Sequence, residues 1–321
     1  MGSTNVITRI RQFVYKCLRK VFRIGSKREY LKIKFTEQKA SDLIYDFLQK
    51  DAPCMIARFG GVELGCVVNY LGLSPKNIKN YLKLIKGENI FFEFSQITIE
   101  VMRNNAGFFP ANDKNLKKFS QLMLDCIPNV DILGSWLSNE TIIKDKLKAE
   151  IVKFGDLEPY YHENPWSRVL QGKKVLVIHP FSESIRKQYL KRDKLFKNKD
   201  ILPEFDLETI TAVQSIADND CGYNDWFEAL EIMKNEIIRK EFDIAIIGCG
   251  AYGFPLASFI KEQGKKSIHL GGATQILFGI KGGRWDENDF FISKLYNEYW
   301  IRPSKEETPS NYKKVENGCY W

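Results

Sequence analysis

The chain has 321 residues, of which 44% are hydrophobic and 13% aromatic, so it can bury a large core and wholesale disorder is excluded. Its net charge of +8 is unevenly distributed along the chain. Residues 1–34 hold ten Lys or Arg and one acid, a net charge of +9, so the rest of the chain has a net charge of −1. A nearly neutral body disfavours nucleic acid as a partner. Seven scattered cysteines without a C-x-x-C pair argue against a disulfide framework or a zinc site and favour free thiols in a reducing cytosol.

Residues 1–34 are predicted to form a basic amphipathic arm. Between residues 5 and 24, apolar side chains recur every three or four positions, and Lys and Arg fill most of the other positions. Such a helix can lie in an anionic membrane interface. The alternative is that it packs on the body or on a second copy of the chain, as in a homodimer. The arm lacks the features of a signal peptide and no stretch is apolar enough to span a bilayer, so a cytoplasmic protein, peripheral at the inner face of the membrane, is expected.

From residue 35 to 321 the chain is predicted to form a single catalytic domain whose first half, to about residue 150, is rich in helix. The predicted helices cover residues 37–49, 76–86, 95–104, 114–125 and 140–152, with another after a turn at 60–65. Ser74 and Pro75 give the start signal of the second helix. Short strands are predicted at 54–59 and 130–133. The aromatic loop 158–166 is either a domain junction or a substrate-facing loop.

The second half alternates regularly between strands and helices. Strands are predicted at 175–178, 208–213, 242–247 and 267–270, and helices at 183–192, after Asp225 and at 254–263. Asp225 and Glu228 approximate a capping box at the start of the helix that precedes the strand at 242–247. This alternation predicts an α/β protein with a Rossmann-like, mostly parallel sheet flanked by helices.

A glycine-rich turn follows the predicted strand at 242–247 and opens the next helix, which matches G-x-G-x-x-G in the right context. Its members are candidates for binding a phosphate through backbone N–H groups: Gly248, Gly250, Ala251, Tyr252 and Gly253. A dinucleotide site also needs an acid about 20 residues on, and positions 268–270 hold none. A nicotinamide or flavin site is therefore disfavoured, which leaves another phosphate-bearing ligand, or glycines that serve only the turn and close packing.

Ligands of open α/β sheets bind beyond the carboxyl ends of the strands. The residues at or just after the predicted strand ends are Arg58, Gly60, Gly61, Ser135, His179, His269, Gly271 and Gly272. Arg58 and Arg284 are candidates to bind the charge of a diphosphate. His179 and His269 are candidate hydrogen-bond donors or bases, although a histidine at a strand end is more often structural.

Acidic residues supply candidates for a metal site and for a catalytic base. Glu63 and the loop residues Asp218 and Asp220 carry oxygen ligands suited to Mg²⁺ or Mn²⁺ beside a diphosphate. Glu63 has two other interpretations, a ribose contact or a partner of a helix dipole. Glu63 and Asp225 are the candidate bases.

The segment 58–64, R-F-G-G-V-E-L, resembles the R-F-G-D-G-E-L segment of GT-D-type bacterial glycosyltransferases, whose D-x-E is linked to nucleotide-sugar and metal binding. Segment 246–285 is similar to members of that superfamily found in surface-polysaccharide synthesis, and the similarity places Gln275 and Lys281 among the expected nucleotide-sugar contacts. The resemblance covers about residues 50–300. Gly61 stands where the family has Asp, so Arg58 and backbone amides are expected to bind the diphosphate instead.

The resemblance implies a glycosyltransferase that moves a sugar from a nucleoside-diphosphate sugar to a saccharide acceptor, held on a lipid in the synthesis of a surface polysaccharide. A different class of protein is a non-catalytic, membrane-surface partner of a polysaccharide assembly complex. A nicotinamide oxidoreductase is the third and least favoured alternative, because the turn lacks its ribose-binding acid.

Overall fold

A computed structural model describes residues 29–86, 88–288 and 290–321; the helix predicted at residues 5–24 lies outside them. Its strands are β1 Cys54–Ala57, β2 Ile132–Ser135, β3 Glu150–Lys153, β4 Lys174–His179, β5 Asp206–Thr211, β6 Ile244–Ile247 and β7 Lys266–His269. They form one sheet in the order β3-β2-β1-β7-β6-β4-β5, and every neighbouring pair is parallel. The predicted Rossmann-like α/β fold is confirmed, and both halves of the body contribute to the same sheet.

The α-helices connect these strands and cover both faces of the sheet. They are α1 Gln38–Gln49, α2 Gly61–Leu71, α3 Ile78–Ile85, α4 Gln96–Asn104, α5 Asp113–Cys126, α6 Ser182–Tyr189, α7 Arg192–Leu195, α8 Trp226–Ile238, α9 Gly253–Glu262, α10 Ala273–Leu277, α11 Gly283–Asn288 and α12 Phe290–Leu295. Short 3-10 turns fill several connections, above all between β3 and β4.

Two apolar cores lie on opposite faces of the sheet. Side chains alternate along a strand, so Met55 and Ala57 of β1 enter one core while Cys54 and Ile56 enter the other. The first core includes α2, α4, α5, α8 and α9, and the second includes α1, α6, α7 and α10. Strands buried on both faces are nearly all apolar, which is why β1 and β6 read as short uninterrupted hydrophobic runs in the sequence.

The order of the strands opens a crevice between β4 and β6. The chain leaves β4 into α6, which packs in the second core, but leaves the neighbouring β6 into α9, which packs in the first core. The two connections therefore diverge to opposite faces, and a crevice forms at the carboxyl ends of these strands. His179 and Gly248 lie at this point.

The predicted helix at 140–152 is wrong. Residues Ser138–Lys146 form 3-10 turns, and Glu150–Lys153 is the edge strand β3, paired with β2. Glu140 is fully buried and accepts the N–H groups of Trp136 and Leu137, which holds the chain in turns instead of a regular helix. Tertiary contacts override the helical pattern here.

The start of α3 and the aromatic loop also need revision. Asn77, not Ser74, caps α3, since its side chain accepts the N–H of Asn80 at 2.9 Å. In the loop, Trp166 is buried and donates its indole N–H to the carbonyl of Leu157 at 2.8 Å. The loop belongs to the connection that crosses from β3 to β4. Among the described residues, no helix combines the length and apolarity that crossing a membrane requires.

Candidate functional site

A cavity of about 310 Å³ lies at the carboxyl edge of the sheet. It collects residues from the ends of β1, β2, β4, β5, β6 and β7, as expected for strands that end at one edge. The predicted residues that line it are Arg58, Gly60, Gly61, Glu63, His179, Gly248, Gly250, Tyr252, His269, Gly271, Gly272, Gln275 and Arg284. Segments that are more than 200 residues apart in the sequence thus line the same crevice.

Arg58 places a positive charge at this cavity. It follows β1 and is half-buried, with its guanidinium carbon 4.8 Å from the ring centre of Phe154 and 5.4 Å from that of Trp136. It takes part in none of the ion pairs found among the described residues, and its Nε donates only a long bond to a backbone carbonyl. Burial lowers its pKa, with Tyr320 and Glu63 opposing this. An anionic ligand would supply a close counter-charge, which no ion pair among the described residues provides for this guanidinium.

The amino end of α2 lies on the same wall. Its N-cap, Gly60, has no side chain to bond the free N–H groups of the first turn. The Glu63 carboxylate folds back over this end, so closely that a Cβ on Gly60 would be 1.9 Å from its Oε2. Burial raises the pKa of Glu63, while its own backbone N–H and Arg58 act in the opposite direction. A helix amino end beside an arginine is well suited to bind a phosphate.

The two histidines of the cavity are neutral hydrogen-bonding groups. His179 accepts the N–H of Phe181 at its Nδ1, 2.9 Å away, so its proton is on Nε2. Burial lowers the pKa of His179 to about 3. The Nδ1 of His269 lies 3.4 Å from the carbonyl of Ile247, and burial followed by the charge of Arg58 lowers its pKa to about 3. Of the two roles predicted for His179, its state at neutral pH therefore favours the hydrogen-bond donor over the base.

The glycine turn after β6 contributes only part of its backbone to the cavity. Gly248, Gly250 and Tyr252 line it, whereas Ala251 and Gly253 do not. The N–H of Ala251 donates to the carbonyl of Ala106 at 3.3 Å. Gly253 packs against His269, where a Cβ would lie 2.2 Å from the ring. Some of the predicted phosphate-binding amides are therefore already used, and close packing explains the glycine at 253.

Three other predicted residues have their side chains outside this cavity. Ser135 donates its hydroxyl to the buried Glu140, and Lys281 lies over the ring of Tyr296 at 5.2 Å. Asp225 caps α8 through the N–H groups of the second and third residues after it, at 2.8 and 2.9 Å, which confirms its predicted capping role. As a capping group away from the cavity, it does not support the prediction of a catalytic base.

The residues predicted to hold a metal do not converge. Asp218 pairs with Arg103 at 3.5 Å and Asp220 accepts the N–H of Gly222 at 3.0 Å, and neither lines the cavity. Glu63 is the single member of the set that does. Across the described ranges, no three His, Cys, Asp or Glu side chains are grouped as metal ligands. The donor set named from the sequence therefore does not fit a protein-built Mg²⁺ or Mn²⁺ site.

Residues 316–321 form a wall that the sequence did not indicate. Arg284 donates to the carboxylate of Glu316 at 2.5 Å, and the Tyr320 ring centre is 4.6 Å from the Arg284 guanidinium. Tyr320, Trp321 and Glu316 all line the cavity, as does the loop at 105–107 between α4 and α5. The only hint in the sequence was the aromatic pair that follows a polar segment.

Gln275 ties this wall to α10 and leaves an acceptor without a partner. Its Nε2 faces three carbonyls, with that of Tyr320 the nearest at 3.0 Å. Its Oε1 is buried and has no hydrogen-bond partner among the described residues. A buried acceptor without a partner costs about 1–3 kcal/mol.

Fold and site together define an α/β protein with an all-parallel, Rossmann-like sheet and a crevice suited to an anion at its carboxyl edge. Comparisons of the chain with protein-family models, with curated proteins and with solved structures gave no match. A Rossmann-like fold hosts many unrelated activities, so the function has to be argued from the chemistry of the site.

Proposed function

We propose that this protein is a glycosyltransferase whose donor is a nucleoside-diphosphate sugar. The observation that carries the proposal is Arg58, a half-buried side chain on the cavity wall without an ion-pair partner among the described residues, beside the amino end of α2, whose N-cap Gly60 has no side chain. A diphosphate supplies the two negative charges that this arrangement favours. The cavity, about 310 Å³, is at the small end of the range for ligand pockets.

In the proposed binding mode, the diphosphate lies between Arg58 and the amino end of α2, and Arg284, which also lines the cavity, adds a second positive charge. Trp136 stands beside Arg58, and its indole N–H is fixed by the carbonyl of Phe59 at 3.0 Å. Trp136 is 41% exposed, so part of its side chain is open to contact with a sugar or a base.

In the reaction, the acceptor hydroxyl oxygen forms a bond to the anomeric carbon of the donor. The bond from that carbon to the diphosphate oxygen breaks, and its electron pair leaves with the diphosphate. Glu63 is the proposed base that receives the hydroxyl proton, since burial raises its pKa above the usual value of a glutamate and so makes the carboxylate a stronger base. Arg58 and the N–H of His179 would stabilise the charge on the leaving group.

A divalent cation, if bound, would neutralise part of the diphosphate charge. Asp218 and Asp220 lie elsewhere and Gly61 supplies no carboxylate, so among the predicted ligands only Glu63 would reach such a cation. The acceptor is proposed to be a saccharide on a lipid, held near the inner face of the membrane with the help of residues 5–24. This part rests on the sequence of the arm and on the resemblance to GT-D-type enzymes.

Replacing Arg58 tests the proposal. Arg58→Ala should lower transfer from the donor at least on the order of a hundredfold, because a preorganised charge at the leaving group is lost. Arg58→Lys should recover part of the activity, since it restores a charge but not the two-pronged guanidinium. The measurement is release of nucleoside diphosphate with a set of sugar donors and a soluble acceptor analogue.

Arg186→Ala is the matched control, because Arg186 is exposed and pairs with Glu183 on the surface of α6. Unaltered turnover of a folded Arg58→Ala protein would refute the proposed role of the site. If the wild-type protein, shown to be folded, releases nucleoside diphosphate from none of the donors, the non-catalytic assembly partner becomes the better explanation.

A further inference from the structure

The helix α3 exposes an apolar face to solvent. Ile78 is 80% exposed, Leu82 54% and Tyr81 38%. Their spacing of three and four residues puts them on one side of the helix. The other side is turned toward the protein, where Asn80 and Leu84 are half-buried. Single exposed apolar residues are common on soluble proteins, but a continuous apolar helix face is typical of an interaction surface.

Lysines border this face. Residues 74–86 contain Lys76, Lys79, Lys83 and Lys86 and no acidic residue. On a helix of 3.6 residues per turn, Lys79 and Lys86 fall on the edge of the apolar face next to Leu82. Neither takes part in the ion pairs formed among the described residues. The other two make long, exposed pairs, at 3.9 Å with Glu93 and 3.8 Å with Glu88, and such pairs contribute little.

The charge around the face selects among its three candidate occupants. The arm at residues 1–34 carries ten Lys or Arg, so its charges would be repelled by the lysines of α3. A second copy that presented the same face would oppose lysine with lysine. An anionic lipid surface fits both features, because apolar side chains enter the acyl boundary while lysines reach up to the phosphates.

We propose that α3 is a membrane-contact helix that binds the surface of an anionic phospholipid bilayer through Ile78, Tyr81 and Leu82, with Lys79 and Lys86 at the headgroups. This contact is separate from the predicted arm and does not depend on the proposed transferase activity. Each lysine near an anionic surface adds attraction that is screened by salt. Together with the arm, it gives the chain two membrane signals within its first 86 residues.

The test is a partition measurement with the full-length chain. Binding to vesicles of mixed phosphatidylglycerol and phosphatidylcholine, and to phosphatidylcholine alone, is followed by co-sedimentation over a range of lipid concentrations. Ile78→Asp/Leu82→Asp should lower the partition coefficient on the anionic vesicles on the order of tenfold or more, because two apolar side chains no longer enter the interface. The arm and α3 each multiply the partition coefficient, so the loss of binding through α3 can be measured with the arm intact.

Leu190→Asp is the matched control, since Leu190 is also 80% exposed but lies after α6; its partition should not change. Lys79→Glu/Lys86→Glu should weaken binding to the anionic vesicles and reduce its salt dependence, and this variant decides the matter if the first one does not fold. An unchanged partition coefficient in folded Ile78→Asp/Leu82→Asp overturns the proposal. So does a change confined to the oligomeric mass in light scattering, which would assign the face to a second copy of the chain.

Discussion

The charged form of Glu63 lowers the stability of the folded protein. Burial raises its pKa above the usual value of a glutamate, so the folded state favours its protonated form. At acid pH, with the residue protonated in both the folded and the unfolded chain, it carries no penalty. As the pH rises through the raised pKa, the folded state loses stability relative to the unfolded state.

Glu63→Gln should therefore be more stable than the wild type near pH 7, with the difference disappearing toward about pH 4. Urea unfolding at a series of pH values measures this. The same variant should lose transfer activity, and the acid limb of the wild-type kcat/KM profile should be absent from whatever activity remains. A variant that gains stability but keeps wild-type turnover would assign Glu63 to another role.

Some residues of the site could be predicted from the sequence and others could not. Arg58 and Glu63 could be found because they follow a strand directly, and strand ends of a parallel sheet meet at one edge. The orphan oxygen of Gln275 and the wall made by Tyr320 could not, because both depend on how residues 316–321 fold back against α10 and α11. No local pattern encodes that long-range contact.

At the scale of the element, two helical glycines have opposite effects on stability. Gly253 starts α9 at a point where the His269 ring leaves no room for a side chain. Gly65 lies inside α2 with no atom within 4 Å of an added Cβ, apart from its own surroundings in the helix. The first is a packing requirement, whereas the second only weakens its helix.

The pair Gly253→Ala and Gly65→Ala should thus shift stability in opposite directions. Gly253→Ala should lower the free energy of unfolding by about 1–3 kcal/mol, because overpacking moves His269 and the end of β7. Gly65→Ala should raise it by about 0.5–1 kcal/mol, as alanine is the better helix former. Chemical denaturation of the two variants beside the wild type checks the signs. Equal effects in the same direction would contradict the packing found at Gly253.

Elements were predicted well where the hydrophobic pattern was strong and poorly where tertiary contacts decide. The helix α1 and the strand β6 came out within one or two residues of the prediction. The region 138–153 did not, because the buried Glu140 and the pairing of β3 with β2 outweigh its helical pattern. An edge strand of four residues has too short an alternation to be recognised.

At the scale of the whole molecule, a ligand in the cavity would contact elements from both halves of the chain, since its walls come from β1 and α2 as well as from β6, α10 and residues 316–321. A donor that binds only the folded protein stabilises the whole by mass action, about 2.7 kcal/mol at 100 times its dissociation constant. The proposed donor should therefore raise the melting temperature of the entire body in one transition.

A thermal-shift panel of UDP-, GDP-, CMP- and dTDP-sugars, each with and without Mn²⁺, measures this. One nucleotide class should raise the melting temperature, and Arg58→Ala should remove the rise. Because the predicted metal ligands do not converge, the rise should persist without Mn²⁺. A rise seen only with Mn²⁺ would show that a cation completes the site, and no rise with any donor would count against the donor proposal.

The sequence by itself determined the class of fold, since alternating apolar strands and amphipathic helices are local patterns that lead to a parallel sheet with covered faces. It also predicted that Arg58, Glu63, Gly248 and Gly250 lie at the carboxyl edge of the sheet. Only the tertiary structure decided the strand order, which puts the crevice between β4 and β6. It also removed Asp218, Asp220 and Asp225 from the site and closed the cavity with Tyr320, because these facts depend on contacts between residues far apart in the chain.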